Sequence, residues 1–211
     1  MKIQLGGLLL AAVTLVSAQT STRTAAIALY TSFQQQPTAA VRMALQDELE
    51  SIMSPLGMRF EWRELHGEST GATPELAVVT FKGRCSVAGL SPAGSFDGTA
   101  LGWTHIADGE ILPFSDVDCD QIRGFLQHSL LHMTTTGREE VFGRALARIL
   151  AHELYHIFAD TTRHGSCGIA KEAYTVHDLL SANFRFEDRD TKVLKSGHAS
   201  PDGSDRGVDQ H

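Results

Sequence analysis

The chain has 211 residues, a net charge of −7 and three cysteines. Its basic residues are scattered, so the acidic balance disfavours a nucleic-acid partner or an anionic membrane surface. The 193 residues after residue 18 carry −8, because Lys2 is the one charge before them, and they suffice for a single domain with a hydrophobic core.

Residues 1–18 combine Lys2, an apolar run from Ile3 to Val16, and the small residues Ser17 and Ala18 ahead of Gln19. This is the three-part pattern of a secretory signal, and it is short for a membrane span. The expected product is exported, periplasmic or extracellular, with no membrane contact after cleavage. An uncleaved anchor is the alternative.

Next, AAIALYT (residues 25–31) is a short apolar run that reads as a buried strand. Pro37 suits a first helical turn. Val41, Leu45, Leu49 and Ile52 then recur at helical spacing until Pro55 and Gly57 stop the run. MRFEWRE (58–64) alternates apolar and charged residues, as a half-buried strand does, and ELAVVTFKG (75–83) is a third strand. The Gly-, Ser- and Pro-rich stretch from Cys85 to Gly98 should be irregular. Two short strands are predicted around Ala107-Asp108-Gly109, since Asp-Gly is a strong hairpin signal.

CDQIRGFLQHSLLHM (119–133) is helical, TTTG (134–137) interrupts the chain, and residues 138–160 form the longest helix. Glu139 and Glu140 would sit in its first turn, where acids suit the dipole. A short helix follows within 173–184. From 196 to 211 there is almost no apolar content, and a disordered tail is expected. The domain therefore spans 19–195. Strands mixed with helices make the class α+β or α/β, a mixed sheet packed on two or three helices. Cys85 and Cys119 both lie in the middle segment and are expected to pair, leaving Cys167 free.

The long helix contains His152-Glu153-Leu154-Tyr155-His156, an HExxH pattern. Residues four apart share a helix face, so His152 and His156 can present two imidazoles to one ion. Zinc accepts neutral imidazole nitrogen in tetrahedral geometry. Glu153 is rotated by about 100° from His152, beside the ion, where its carboxylate can take a proton from a polarised water. The apolar neighbours Ile149, Leu150, Leu154 and Ile157 set the pattern in an amphipathic helix.

A catalytic zinc takes three protein ligands and keeps one position open. His164 is the candidate third ligand. It requires the chain to leave the helix near Asp160 and turn back, which Thr161, Thr162 and Gly165 permit. Asp160, Glu172, His177 and Asp178 are its rivals. His128 and His132 are four apart but have no accompanying acid or third ligand, and His105 stands alone. Tyr174 is either a packing residue or a hydrogen-bond donor to an oxyanion.

These residues resemble a metzincin-type zinc peptidase, whose pattern is HExxHxxGxxH followed by a methionine turn beneath the metal. They are also similar to a group of little-characterised bacterial exported proteins with HELxH, a longer spacer, a histidine and Gly-Ile-Met. Here the run is His152 to His156, then His164, then Gly168-Ile169-Ala170. The spacer is two residues longer than in metzincins, with Ala159 at the glycine position and Ala170 at the methionine position. LGWTHIADGEILPF (101–114) extends the likeness upstream.

The resemblance implies a metzincin-like α+β fold, with an active-site helix and an edge strand along the cleft, from 101–106 or 110–114. It further implies a zinc metalloendopeptidase. His152, His156 and His164 would hold zinc, Glu153 would be general base and then proton donor, and a peptide or protein would be the substrate. The chain is expected to be a monomer. Two other readings are a zinc-binding module without turnover, which would not need Glu153, and a zinc hydrolase of non-peptide amides or esters.

Overall fold

The structure is a computed structural model that describes residues 26–67, 71, 73–91 and 96–198. The predicted signal, residues 1–18, lies outside the described residues, as does the tail beyond residue 198. In chain order the elements are β1 (Ile27–Gln35), α1 (Ala39–Met53), a 3-10 turn (Ser54–Leu56), β2 (Phe60–Glu64), β3 (Leu76–Arg84), β4 (Gly102–Ala107), β5 (Glu110–Asp118), α2 (Cys119–Leu131), α3 (Thr135–Phe158), α4 (Val176–Leu180) and α5 (Asp188–His198).

One five-stranded sheet has the order β2-β1-β3-β5-β4. Its first four strands are parallel, and β4 pairs antiparallel with β5 at the edge. The mixed sheet against helices expected from the sequence is present. Ile27, Ala28 and Leu29 of β1 are all buried, as an interior parallel strand requires. The β4–β5 turn is made by Asp108 and Gly109 at φ 54° and 84°. Two positive φ values in succession are what a two-residue hairpin of the right twist needs, and Asp-Gly supplies them at low cost.

Helix α3 is the central strut. Phe142, Gly143 and every residue from Ala145 to His156 are buried, so the helix is enclosed on all sides rather than on one stripe. Its closest neighbour is α1, which buries Val41, Leu45, Leu49, Ile52 and Met53. The helices nearly touch at Gly143, where an added Cβ would stand 2.5 Å from the Val41 carbonyl oxygen.

Local differences from the sequence reading have simple causes. Pro37 falls just outside α1, because the Thr38 hydroxyl caps the helix by accepting from the Val41 N–H. The TTTG stretch starts α3 instead of interrupting the chain. Thr134 is the N-cap, its hydroxyl accepting from Gly137 N–H, so Glu139 and Glu140 lie beyond the first turn. Glu139 instead accepts a hydrogen bond from Thr38 at 2.8 Å, linking the starts of the two helices. Helix α5 was not expected. Its apolar content is Val193 and Leu194, and fully buried Leu194 anchors it, so residues 196–198 are helical rather than tail. Cys85 and Cys119, both fully buried, form the expected disulfide, and Cys167 is free and exposed.

Candidate metal centre

The buried end of α3 presents His152, Glu153 and His156, with only 6%, 4% and 8% of their surface exposed. Past Phe158 the helix closes with Ala159 at its end and Asp160 in the left-handed conformation, φ 45°. Thr161 N–H then bonds back to the His156 carbonyl and Asp160 N–H to that of Ile157. This pair of bonds is a Schellman closure. The chain turns through it and returns, bringing His164 beside the helix.

One nitrogen from each of His152, His156 and His164 lies within 4.8 Å of the others. The ring of His164 stacks on that of His152 with centroids 5.2 Å apart, and meets that of His156 edge-on at 4.9 Å. His164 is exposed, whereas the other two are buried. This is the convergence the sequence required of the turn. Of the rival ligands, Asp178 accepts from Lys171 and from Thr175 in the cap of α4. Asp160 is exposed at the helix end, and His177 is exposed on α4. Glu172 lines the cleft but is not part of the histidine group. The rings of His128 and His132 meet edge-on at 5.1 Å and are not part of this group. His105 pairs with Asp116, Nε2 to Oδ2 at 2.7 Å.

Both helical histidines have fixed tautomers. His152 Nδ1–H donates to the Ile169 carbonyl and His156 Nδ1–H to the Thr161 carbonyl, each at 2.7 Å. A carbonyl accepts only, so the proton of each neutral ring is on Nδ1 and each Nε2 carries a lone pair. These Nε2 atoms face each other at 3.0 Å. Burial, helped by the neighbouring His156 and His164 and opposed by the Ile169 hydrogen bond, holds the His152 pKa down to about 3, and burial also lowers that of His156. Two neutral lone pairs aimed at one point suit an electron-pair acceptor. Three imidazole nitrogens without a thiolate suit zinc among the common metals. The donor set therefore fits the metal the sequence implies.

Tyr174 has a role that the sequence reading did not find. Its hydroxyl donates to the Ile169 carbonyl and lies 2.8 Å from His152 Nδ1. It steadies the carbonyl that orients His152 and is committed there instead of serving as an oxyanion donor. Ile169 and Ala170 are fully buried next to this contact. Ala170, at the methionine position of the resemblance, fills that space with a methyl group alone.

Glu153 is held from the opposite side, by the sheet. Thr104 Oγ1 on β4 donates to Glu153 Oε2 at 2.8 Å and lies 3.0 Å from Ser115 Oγ on β5. Gly102 lets the strand come this close, since a Cβ there would lie 2.8 Å from Ile149 Cγ2 and 3.0 Å from Glu153 Oε1. Burial pushes the Glu153 pKa up to about 7, against the lowering effect of the Thr104 hydrogen bond. Of the two strands suggested for the cleft wall, β4 is the edge and β5 is interior.

The cleft has two lobes that share Ala100, Gly102, His152, Glu153 and Glu172. The first, about 290 Å³, lies against Trp103, Ile106, Ile111 and Thr162. The second, about 320 Å³, is walled by Phe96, Leu101, Phe125 and Ile149.

A pH experiment tests these environments in the metal-free protein. His152, shifted from 6.5 to about 3, binds fewer protons folded than unfolded, so its contribution to stability is lost as pH falls through that window. Glu153, shifted from 4.5 to about 7, binds more protons folded, so its contribution is lost as pH rises. Between about 4.5 and 6.5 the two offset each other. The Glu153→Gln variant should then lose stability steadily below pH 6.5, by up to about 1.4 kcal/mol per pH unit from His152. The unsubstituted protein should fall less steeply down to about pH 4.5, because Glu153 cancels the His152 loss and leaves the loss from His156, which both proteins share. Urea titrations from pH 4 to 8 compare them, and parallel curves would refute the assignment.

No family model matches the sequence, and no curated protein matches it. Among solved structures, the chain is similar to an archaemetzincin from Methanopyrus kandleri, with 9% identity over 84% of this chain and 98% of that one, at a TM-score of 0.48. Among the described residues no helix is long and apolar enough to cross a membrane.

Proposed function

We propose that the chain is an exported, zinc-dependent metallopeptidase. The observation that carries this reading is the fixed tautomer of His152 and His156, whose Nε2 lone pairs converge beside His164 with Glu153 next to them in an open cleft. His152, His156 and His164 would hold the zinc. When bound, zinc supplies Lewis-acid polarisation of a carbonyl and makes a water more acidic. Glu153 takes the proton from the attacking water and gives it to the leaving amine nitrogen. Its raised pKa near neutrality suits both halves of that transfer. Thr104 keeps the carboxylate aimed into the cleft.

The position of Glu153 favours an enzyme over a zinc-binding module. A carboxylate buried to this degree is costly to keep and is not needed to hold the metal. The Cys85–Cys119 bond supports an oxidising destination. An extended peptide suits the two-lobed cleft, and a non-peptide amide or ester substrate is the second reading.

Zinc content tests the ligand set without reference to turnover. The protein should bind one zinc. His164→Ala should weaken binding by more than about 100-fold, beyond the 10–100-fold typical of losing an outer partner. Asp160→Asn, which keeps a residue tolerant of the left-handed conformation, should change affinity little. Full zinc occupancy of His164→Ala under mild chelation would remove His164 from the site.

A further inference from the structure

The charge of the cleft is uneven. Among the described residues lining its two lobes there is no lysine and no arginine, and the carboxylates are Glu153 and Glu172. Glu153 is buried and bonded to Thr104. Glu172 is exposed, lines both lobes, and has no hydrogen-bond or ion-pair partner among the described residues. Its neighbour Lys171 is already engaged by Asp178 at 2.5 Å. The second lobe, which Glu172 lines, has a mainly apolar wall that includes the rings of Phe96 and Phe125, tilted at 60° and 5.0 Å apart.

A free carboxylate lining a lobe with an apolar, aromatic wall suits a cation on an aliphatic stem. The stem covers apolar surface, the charged head reaches the carboxylate, and an aromatic face adds attraction. A neutral side chain would leave the carboxylate without a partner, and an acidic one would be repelled. We propose that Glu172 selects peptides with a lysine or arginine side chain flanking the scissile bond, with that side chain in the second lobe. This rests on the peptidase reading and adds a specificity-determining residue to it.

The first arm of the test uses the zinc-loaded mature protein. The peptides are N-acetylated and C-amidated, so no terminal amine competes, and differ only in carrying Lys, Arg, norleucine or Glu beside the cleaved bond. Lys and Arg should give kcat/KM about tenfold above norleucine, as one partly exposed charge contact allows. Added salt should weaken the preference. It should collapse in Glu172→Gln and turn towards Glu in Glu172→Lys. The second arm needs no turnover: calorimetry of the lysyl and norleucyl peptides on Glu153→Gln, with and without Glu172→Gln. Equal rates and affinities, or a preference that survives Glu172→Gln, overturn the proposal. Lysyl selectivity in binding without cleavage upholds Glu172 and removes the peptidase reading. Cleavage without selectivity does the reverse, and neither binding nor cleavage overturns both.

Discussion

Glu153→Gln should reduce peptide cleavage by about 10²–10⁴-fold, roughly 3–5 kcal/mol of barrier, and leave zinc content and folding intact. Gln is nearly the same shape, and Thr104 Oγ1 can still donate to its side-chain oxygen as it does to Glu153 Oε2. The amide cannot accept the proton of the attacking water. The loss should therefore appear in kcat, with substrate binding little changed. A stopped assay on a mixed peptide library, with zinc measured on the same samples, decides it. A zinc-loaded protein that cleaves nothing would favour the binding module. Cleavage that survives the substitution would mean that another group takes the proton.

Arg148→Met should destabilise the fold by about 3–5 kcal/mol, the usual cost of removing one partner from a buried ion pair. Arg148 is fully buried one turn before His152 on α3. Its Nε donates to Glu48 Oε1 at 2.8 Å, and its Nη1 donates to the carbonyls of Asp178 and Leu179 on α4. Nη2 is also 2.8 Å from Glu48 Oε1, but without hydrogen-bond alignment, so it counts as a charge contact only. Methionine would strip the Arg148 bond from both carbonyls, leaving the Asp178 carbonyl with the Ser181 hydroxyl at 3.2 Å and the Leu179 carbonyl without its guanidinium donor. Among the described residues Glu48 would keep Arg144 at 3.8 Å and Arg185 at 3.4 Å. For a chain of this size the midpoint should drop by about 6–20 °C. A change below 1 kcal/mol would show that the neighbouring arginines fully replace Arg148.

The effect should reach the metal centre. The Arg185 carbonyl accepts from Ile169 N–H at 3.1 Å, and the Ile169 carbonyl holds His152. Loosening the segment that Arg148 and Glu48 pin therefore loosens the orientation of a proposed zinc ligand.

What could be read from the sequence was local. His152 and His156 lie within one helix, and His164 is eight residues on, so spacing and turn chemistry suffice to bring them together. The Asp-Gly hairpin was legible for the same reason. The contacts that hold Glu153 were not. Thr104 is 49 residues away and reaches Glu153 only through the pairing of an edge strand, and Glu48 is 100 residues from Arg148. Sequence spacing carries no signal for either. Helix α5 was missed because one buried leucine leaves no apolar period to detect. The start of α3 was displaced because threonine and glycine mark both turns and caps, and only the bond from Gly137 N–H to Thr134 distinguishes them.

The Schellman closure after His156 bears on how such sites can be searched for. The pattern HExxHxxGxxH fixes a glycine three residues after the second histidine. In this chain that position is Ala159, an ordinary right-handed residue, and the left-handed one is Asp160, a step later. The returning leg is also one residue longer, through Thr161, Thr162 and Arg163 to His164. A query that demands glycine at a fixed offset would reject this sequence although its three imidazoles converge. What the geometry requires is a residue that accepts positive φ, whether Gly, Asn or Asp, followed by enough chain to come back. A query written as permitted backbone conformations with a variable return length would retain this chain, and others in which the turn has slipped by a residue.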